Sequence, residues 1–107
     1  MLVNFCFYVP KTHLEIVKEA IFIAGAGVIG EYSNCCWQTL GEGQFLPSVN
    51  SSPVLGKQQQ LHRLAEYKVE VICVRDIMPN ILHQFLLSHP YEEPAYSIMP
   101  HLKLEDL

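Results

Sequence analysis

An α+β fold with the element order β-α-β-β-α-β is predicted for this 107-residue chain by three observations. Two apolar runs, Leu2–Val9 and the second half of His62–Val74, are each followed closely by a stretch whose apolar residues recur at helical spacing. All six glycines fall between Gly25 and Gly56, so loops concentrate in the middle and regular structure in the flanks. Half of the residues are hydrophobic and 17% are charged, which fits one ordinary globular domain over residues 1–107 and excludes a disordered tail or a two-domain enzyme. At this length folding buries roughly two thirds of the unfolded chain's surface, so a core forms without disulfides or metal.

The elements follow in order. Leu2 to Val9 is a buried strand closed by Pro10, which removes a ladder donor. Thr12-His13-Leu14-Glu15 has the capping-box spacing, and Leu14, Val17, Ile21 and Ala24 then form one face of a helix over about 13–24 that stops at Gly25. Tyr32–Leu40 and Gln44–Pro47 read as two extended arms around the turn Gly41-Glu42-Gly43, a hairpin across which Trp37 and Phe45 can pack. Val49–Leu55 is a connecting loop and Gly56–Gln60 a polar one. His62–Val74 alternates charged and apolar residues before turning wholly apolar, which marks the longest strand.

Asp76 is placed to cap a second helix that tolerates Pro79 in its first turn, with Ile77, Ile81, Leu82, Phe85 and Leu86 as its buried stripe. His89-Pro90 ends that helix, and Ala95–Met99 is a last strand with edge character given by Pro94 and Pro100. This is the ferredoxin-like split arrangement with one hairpin beyond the minimum. The hairpin is expected either to extend from the sheet as an arm or to form its edge, and such an arm favours oligomers, because a symmetric copy covers an edge that a monomer must blunt.

Charge and cysteine usage restrict function. Seven basic against eleven acidic residues, with no basic run, leave little to neutralise phosphates or an anionic bilayer, so neither nucleic acid nor membrane is expected as a partner. The apolar stretch Ala20–Ile29 is too short to span a bilayer, and the N-terminus lacks the features of a secretory signal. Cys6, Cys35, Cys36 and Cys73 lack a disulfide spacing, so reduced thiols and a cytoplasmic location are expected.

Ile21–Gly30 contains Gly25-x-Gly27-x-x-Gly30, the spelling of a dinucleotide-binding turn. That chemistry needs a strand before the glycines and a helix after them, whereas here a helix precedes and an extended run follows. His89-Pro90-Tyr91-Glu92-Glu93-Pro94-Ala95-Tyr96 is the best site candidate, a rigid loop carrying a histidine, two carboxylates and two phenols. His89 with Glu93 or Glu92 offers nitrogen and oxygen ligands suited to a divalent metal, but only two per chain, so a metal centre or hydrolase would have to be shared between subunits. Cys35 and Cys36 have no neighbouring base to activate them, and no catalytic residue is assigned.

Two blocks together carry a family resemblance. Gly25–Cys35, followed by Gly41-Glu42-Gly43-Gln44-Phe45-Leu46-Pro47 and Pro53-Val54-Leu55-Gly56, resembles the inserted domain of the NIF-three-like, YqfO-type proteins, and His89–Tyr96 resembles its closing motif. The resemblance implies a fold like the PII signalling proteins and CutA, which commonly associate as trimers. It does not imply the family's dinuclear metal site, which the flanking domains build from residues without counterparts here; the chain resembles the insert standing alone.

The expected function is therefore an oligomeric, non-enzymatic domain that binds a small ligand, a metal ion or a protein partner, without an obligatory cofactor. The residues expected to carry it are His89, Tyr91, Glu92 and Glu93. Gly27, Gly30 and Tyr32 are expected as a second wall, because the two helices are expected to exit at the same end of their layer.

Overall fold

The computed structural model describes residues 1–51 and 57–107. The Pro53-Val54-Leu55-Gly56 block and the end of the expected connecting loop lie outside the described residues. The elements are β1 (Leu2–Pro10), α1 (Leu14–Ile23), β2 (Trp37–Phe45), β3 (His62–Val74), α2 (Met78–Ser88) and β4 (Tyr96–His101). The four strands form one antiparallel sheet in the order β2-β3-β1-β4, with β1 and β3 at its centre. This is the expected β-α-β-β-α-β sandwich, and β3 is its longest strand.

Alternation along the central strands decides what is buried. Val3, Phe5, Phe7 and Val9 of β1 and Val69, Val71 and Cys73 of β3 point to one face, where they meet Leu14, Val17 and Ile21 of α1 and Met78, Ile81 and Phe85 of α2. Phe5 lies edge-on to Phe85 with centroids 5.1 Å apart, and Phe7 sits 4.9 Å from the same ring. Each of these three phenylalanines is fully buried and stabilises the fold by about 1.5–3 kcal/mol relative to exposure. The stripe of α2 is rotated from the expected one: Met78 is buried, while Ile77 and Leu86 are exposed and Leu82 only borders the core.

Neither helix begins as its sequence suggests. Each is entered through a 3-10 turn, Lys11–His13 before α1 and Arg75–Ile77 before α2, which hands a backbone carbonyl to the first helical amide. Those bonds replace the caps expected from Thr12 and Asp76: neither helix has a side-chain N-cap, and the Thr12 hydroxyl lies 2.8 Å from His13 Nδ1 instead.

The expected hairpin at 32–47 does not exist. Residues 37–45 are one uninterrupted edge strand, paired with β3 from Trp37↔Glu70 to Phe45↔His62, and Gly41-Glu42-Gly43 lies in its middle. Trp37 and Phe45 therefore occupy opposite ends of one strand, roughly 26 Å apart at the rise of extended chain, and do not pack across a turn. The turn chemistry belongs to the preceding segment, where Ile29 and Tyr32 exchange backbone hydrogen bonds of 2.9 Å around Gly30.

Because β1 ends at Pro10↔Glu66, the distal parts of β2 and β3 continue as a two-stranded ribbon. The radius of gyration, 15.0 Å, accordingly exceeds the ~13 Å of a compact chain of this length. Phe85→Ala is expected to cost about 3–5 kcal/mol in urea unfolding, because the cavity opens between Phe5 and Phe7, whereas Leu87→Ala on the exposed face should stay within about 0.5 kcal/mol.

Candidate functional site

The site begins with a backbone constraint. Pro90 forbids helical geometry at His89, which adopts φ −77° and ψ 138° and ends α2. The turned chain carries His89 beneath Phe85, with ring centroids 5.2 Å apart and only 7% of the residue exposed. There its Nε2–H donates to the Tyr8 carbonyl at 2.7 Å and its Nδ1 accepts from the Tyr91 amide at 3.1 Å. An amide can only donate, so Nδ1 must carry the lone pair and the ring is neutral. Burial lowers the affinity of His89 for a second proton below the ordinary imidazole range; the Tyr8 carbonyl opposes that shift, and His13 adds a little to it.

His89 thereby aims the next residue. Tyr91 lies 4.9 Å from His89 and 5.6 Å from Phe45, and its hydroxyl donates to Glu66 Oε2 at 2.5 Å. Burial, and then the Glu66 carboxylate that accepts this bond, push the Tyr91 phenol well above the usual tyrosine range. Glu66 in turn rests on Gly43: a Cβ there would overlap the Glu66 side chain. The glycine read as a turn residue is thus an extended residue whose missing side chain makes room for a carboxylate.

These contacts close one side of a cleft of about 650 Å³. Tyr8, Phe45 and Tyr91 supply aromatic surface, while Glu66, Glu92 and Glu93 supply carboxylates. Across from the loop, Gln44 and Leu46 through Ser48, then Asn50 and Ser51, form the second wall. Tyr91, Glu92 and Glu93 line this cleft; His89 supports it from beneath.

The expected second wall is elsewhere. β1 and β3 are antiparallel, so the helices that follow them run in opposite directions and exit at opposite ends of the layer. The amide of Gly27 donates to the Ile72 carbonyl at 2.9 Å, near the start of β1, whereas His89 meets Tyr8 near its end. Gly27, at φ +77°, packs so closely on Cys35 that a Cβ would lie 2.6 Å from its carbonyl oxygen. Gly30 has open space around it and Tyr32 is 75% exposed. These three residues do not meet the His89 loop.

The residues missed by sequence reading are Glu66, Phe45, Gln44 and the Leu46–Ser51 wall. The signal for them was the strand register, which the hairpin reading hid.

His89 is not free to hold a metal, and the two buried thiols, Cys6 and Cys73, are not activated as nucleophiles. His89 has both ring nitrogens engaged, and among the described residues no group of three or more His, Cys, Asp or Glu side chains converges on a point. Burial pushes the Cys73 thiol up to about 11 and also raises Cys6, the reverse of what an activated nucleophile requires. No helix among the described residues is long and apolar enough to cross a membrane.

No family model matches the chain. It is 45% identical over 91 residues, 85% of its length, to a protein of Mycobacterium leprae named GTP cyclohydrolase 1 type 2 homolog, and 42% identical over 93 residues to one of the same name from Halalkalibacterium halodurans. The chain spans only 24% and 25% of those two curated relatives. Among solved structures, a Bacillus cereus protein related to NIF3 superposes with a TM-score of 0.77 at 34% identity, over 94% of this chain and 25% of its own. The periplasmic divalent cation tolerance protein CutA of Archaeoglobus fulgidus superposes with a TM-score of 0.67 at 11% identity, covering 96% of this chain and 86% of its own; at that identity the likeness concerns the fold.

Gly43→Ala is expected to displace Glu66 from Tyr91, costing about 1–2 kcal/mol and lowering the Tyr91 titration midpoint towards the ordinary value near 10. Alkaline ultraviolet titration, differenced against Tyr91→Phe, checks this, and an unmoved midpoint contradicts the contact. The His89 shift gives a second expectation. The unfolded chain binds the imidazole proton more readily than the folded one, so this contribution is intact above pH ~6.5 and is lost as pH falls from there through the lowered folded value. Urea midpoints measured from pH 8 to 5 should fall on the acid side, less steeply in His89→Gln.

Proposed function

We propose, on the premise that this chain is a homologue of one segment of the NIF3-related proteins with a PII/CutA-like fold, that its 107 residues form one self-associating binding domain. Its ligand or partner enters the cleft between the His89–Tyr96 loop and the Gln44–Ser51 wall. The observation that carries this reading is the junction of the two sequence blocks, where Tyr91 meets Phe45: His89, Tyr91 and Glu66 are spent on one another and on the backbone beside a cleft of about 650 Å³. A shaped concavity with aromatic walls and a few convergent polar groups is what small-molecule recognition requires.

The role is binding rather than catalysis. The relatives' name refers to a cyclohydrolase, but this chain corresponds to about a quarter of them, and its buried histidine orients a loop instead of facing the cleft. The four unpaired cysteines suit a reducing, cytoplasmic setting.

Assembly is supported by the sheet. Among the described residues no helix covers its second face, and Cys6, Leu64 and Ile72 lie there among charged residues, with β2 and β4 as edges on either side. Copies packed around the Cys6–Ile72 part of that face, as a trimer, would cover it and the adjoining edges, while Tyr8 and Glu66, which stand further along the same face, line the cleft.

A native mass spectrum of untagged protein purified without chelator tests both parts. A trimer is expected, and Ile72→Glu should yield folded monomers by circular dichroism and sedimentation. A wild-type monomer overturns the assembly. Where a small molecule is retained, Tyr91→Phe should weaken its retention while leaving the subunit number unchanged; loss of assembly instead would make the loop an interface.

A further inference from the structure

The hydrogen bonds around His89 give the cleft a conformational control, an inference that rests on the binding role proposed above for its use but not for its test. We propose that protonation of His89 expels the Tyr91 amide and swings the Tyr91–Glu93 segment off β3, so that acid opens the loop wall of the cleft. The geometry sets this up because the two ring nitrogens hold partners of different kinds. Nε2 faces a carbonyl, that of Tyr8 at 2.7 Å, and Nδ1 faces an N–H, that of Tyr91 at 3.1 Å.

A second proton has one place to go. Nε2 already carries a hydrogen, so the proton enters at Nδ1, where it points at the Tyr91 amide hydrogen. Two donors cannot share a bond, and that contact turns from attractive to repulsive. The bond to the Tyr8 carbonyl is kept and strengthened, because its donor now belongs to a cation. The ring therefore stays in its seat beneath Phe85, and the chain beyond Pro90 is what must move. Tyr91 transmits the change: its amide is tied to His89 and its hydroxyl to Glu66, so losing the first bond loosens the second, which crosses from the loop to β3. Tyr91, Glu92 and Glu93 line the cleft from the loop side, and a displaced loop takes that wall with it.

The groups that face His89 favour the neutral ring. From β1 it meets a backbone carbonyl, from α2 the Phe85 ring, and from the turn before α1 the half-buried His13, whose charge repels a second one. Glu66 of β3 is reached through Tyr91, and no carboxylate is among the groups that act on the imidazole directly. Burial opposes the second proton as well, so the loop is docked at neutral pH and opens on the acid side of the ordinary imidazole value of about 6.5.

Proton–nitrogen correlation NMR of the labelled full chain, stepped from pH 8 to 5, reads both ends of the switch at once. At pH 8 His89 should show a protonated Nε2 and a bare Nδ1. On acidification its ring signals and the amides of Tyr91, Glu92 and Glu93 should move with one shared midpoint, while the Phe85 amide stays in place. The Tyr91 amide should also exchange with solvent about tenfold faster on the acid side, after correction for the intrinsic rate, as expected for one lost hydrogen bond. His89→Asn sets an amide oxygen near the place of Nδ1, where it accepts from Tyr91 without titrating, and should keep the loop docked throughout.

A Tyr91 amide that holds still while the His89 ring titrates overturns the switch. So does a loop that moves where the His89 signals do not, one that moves equally in His89→Asn, or a His89 ring that stays neutral to pH 5 in the folded chain. Should His89→Asn fail to fold, the two wild-type midpoints decide by themselves. None of these results bears on the binding role, and a cleft found to bind nothing would leave the comparison of midpoints unchanged.

Discussion

The antiparallel pairing of β1 with β3 is the constraint on which the remaining structure depends. It joins Leu2 to Val74 at one end and Pro10 to Glu66 at the other, and it puts both wholly apolar strand faces on the same side. The two helices must then cover that side, and because their parent strands oppose each other, the helices do too. Everything at the Tyr8 end follows from this direction: the exit of α2, the seat of His89, and the approach of Tyr91 to Glu66. The Gly25–Tyr32 segment is sent to the other end by the same geometry.

Much of the architecture was legible in the sequence because it is encoded locally. Apolar periods of two and of 3.6, a proline after each of two elements and the glycine-free flanks are properties of neighbouring residues. They placed both helices, β1, β3 and β4 within a residue or two. The helix starts were misread because a capping box and a 3-10 entry use the same short polar stretch. Only the path set by Pro10, or by Val74, decides which backbone bonds are available.

The larger misreading, at β2, has a different cause. A glycine pair between extended runs fits a turn equally well as a strand lying under a bulky cross-strand neighbour, and the choice is made by Glu66, more than twenty positions away. The loop half of the site could be read, since His89, Pro90 and Tyr91 are contiguous. Its strand half could not, because Phe45, Gln44 and Glu66 reach the cleft through register alone. The sequence blocks that carry the family likeness do converge, but through the end of β2 and not through the exit of α1.

The hydrogen bond from His89 to the Tyr8 carbonyl spans 81 positions of the chain. Closing so long a loop is entropically costly, a cost the β1–β3 pairing already meets in large part by joining Leu2 to Val74 and Pro10 to Glu66. A nascent chain that has not yet emerged past Tyr91 can assemble β1, α1, β2 and β3 and still lack the cleft. Segments far apart in the chain are thereby tied to one cleft: damage to either β1 or the His89–Tyr96 loop removes the same contact.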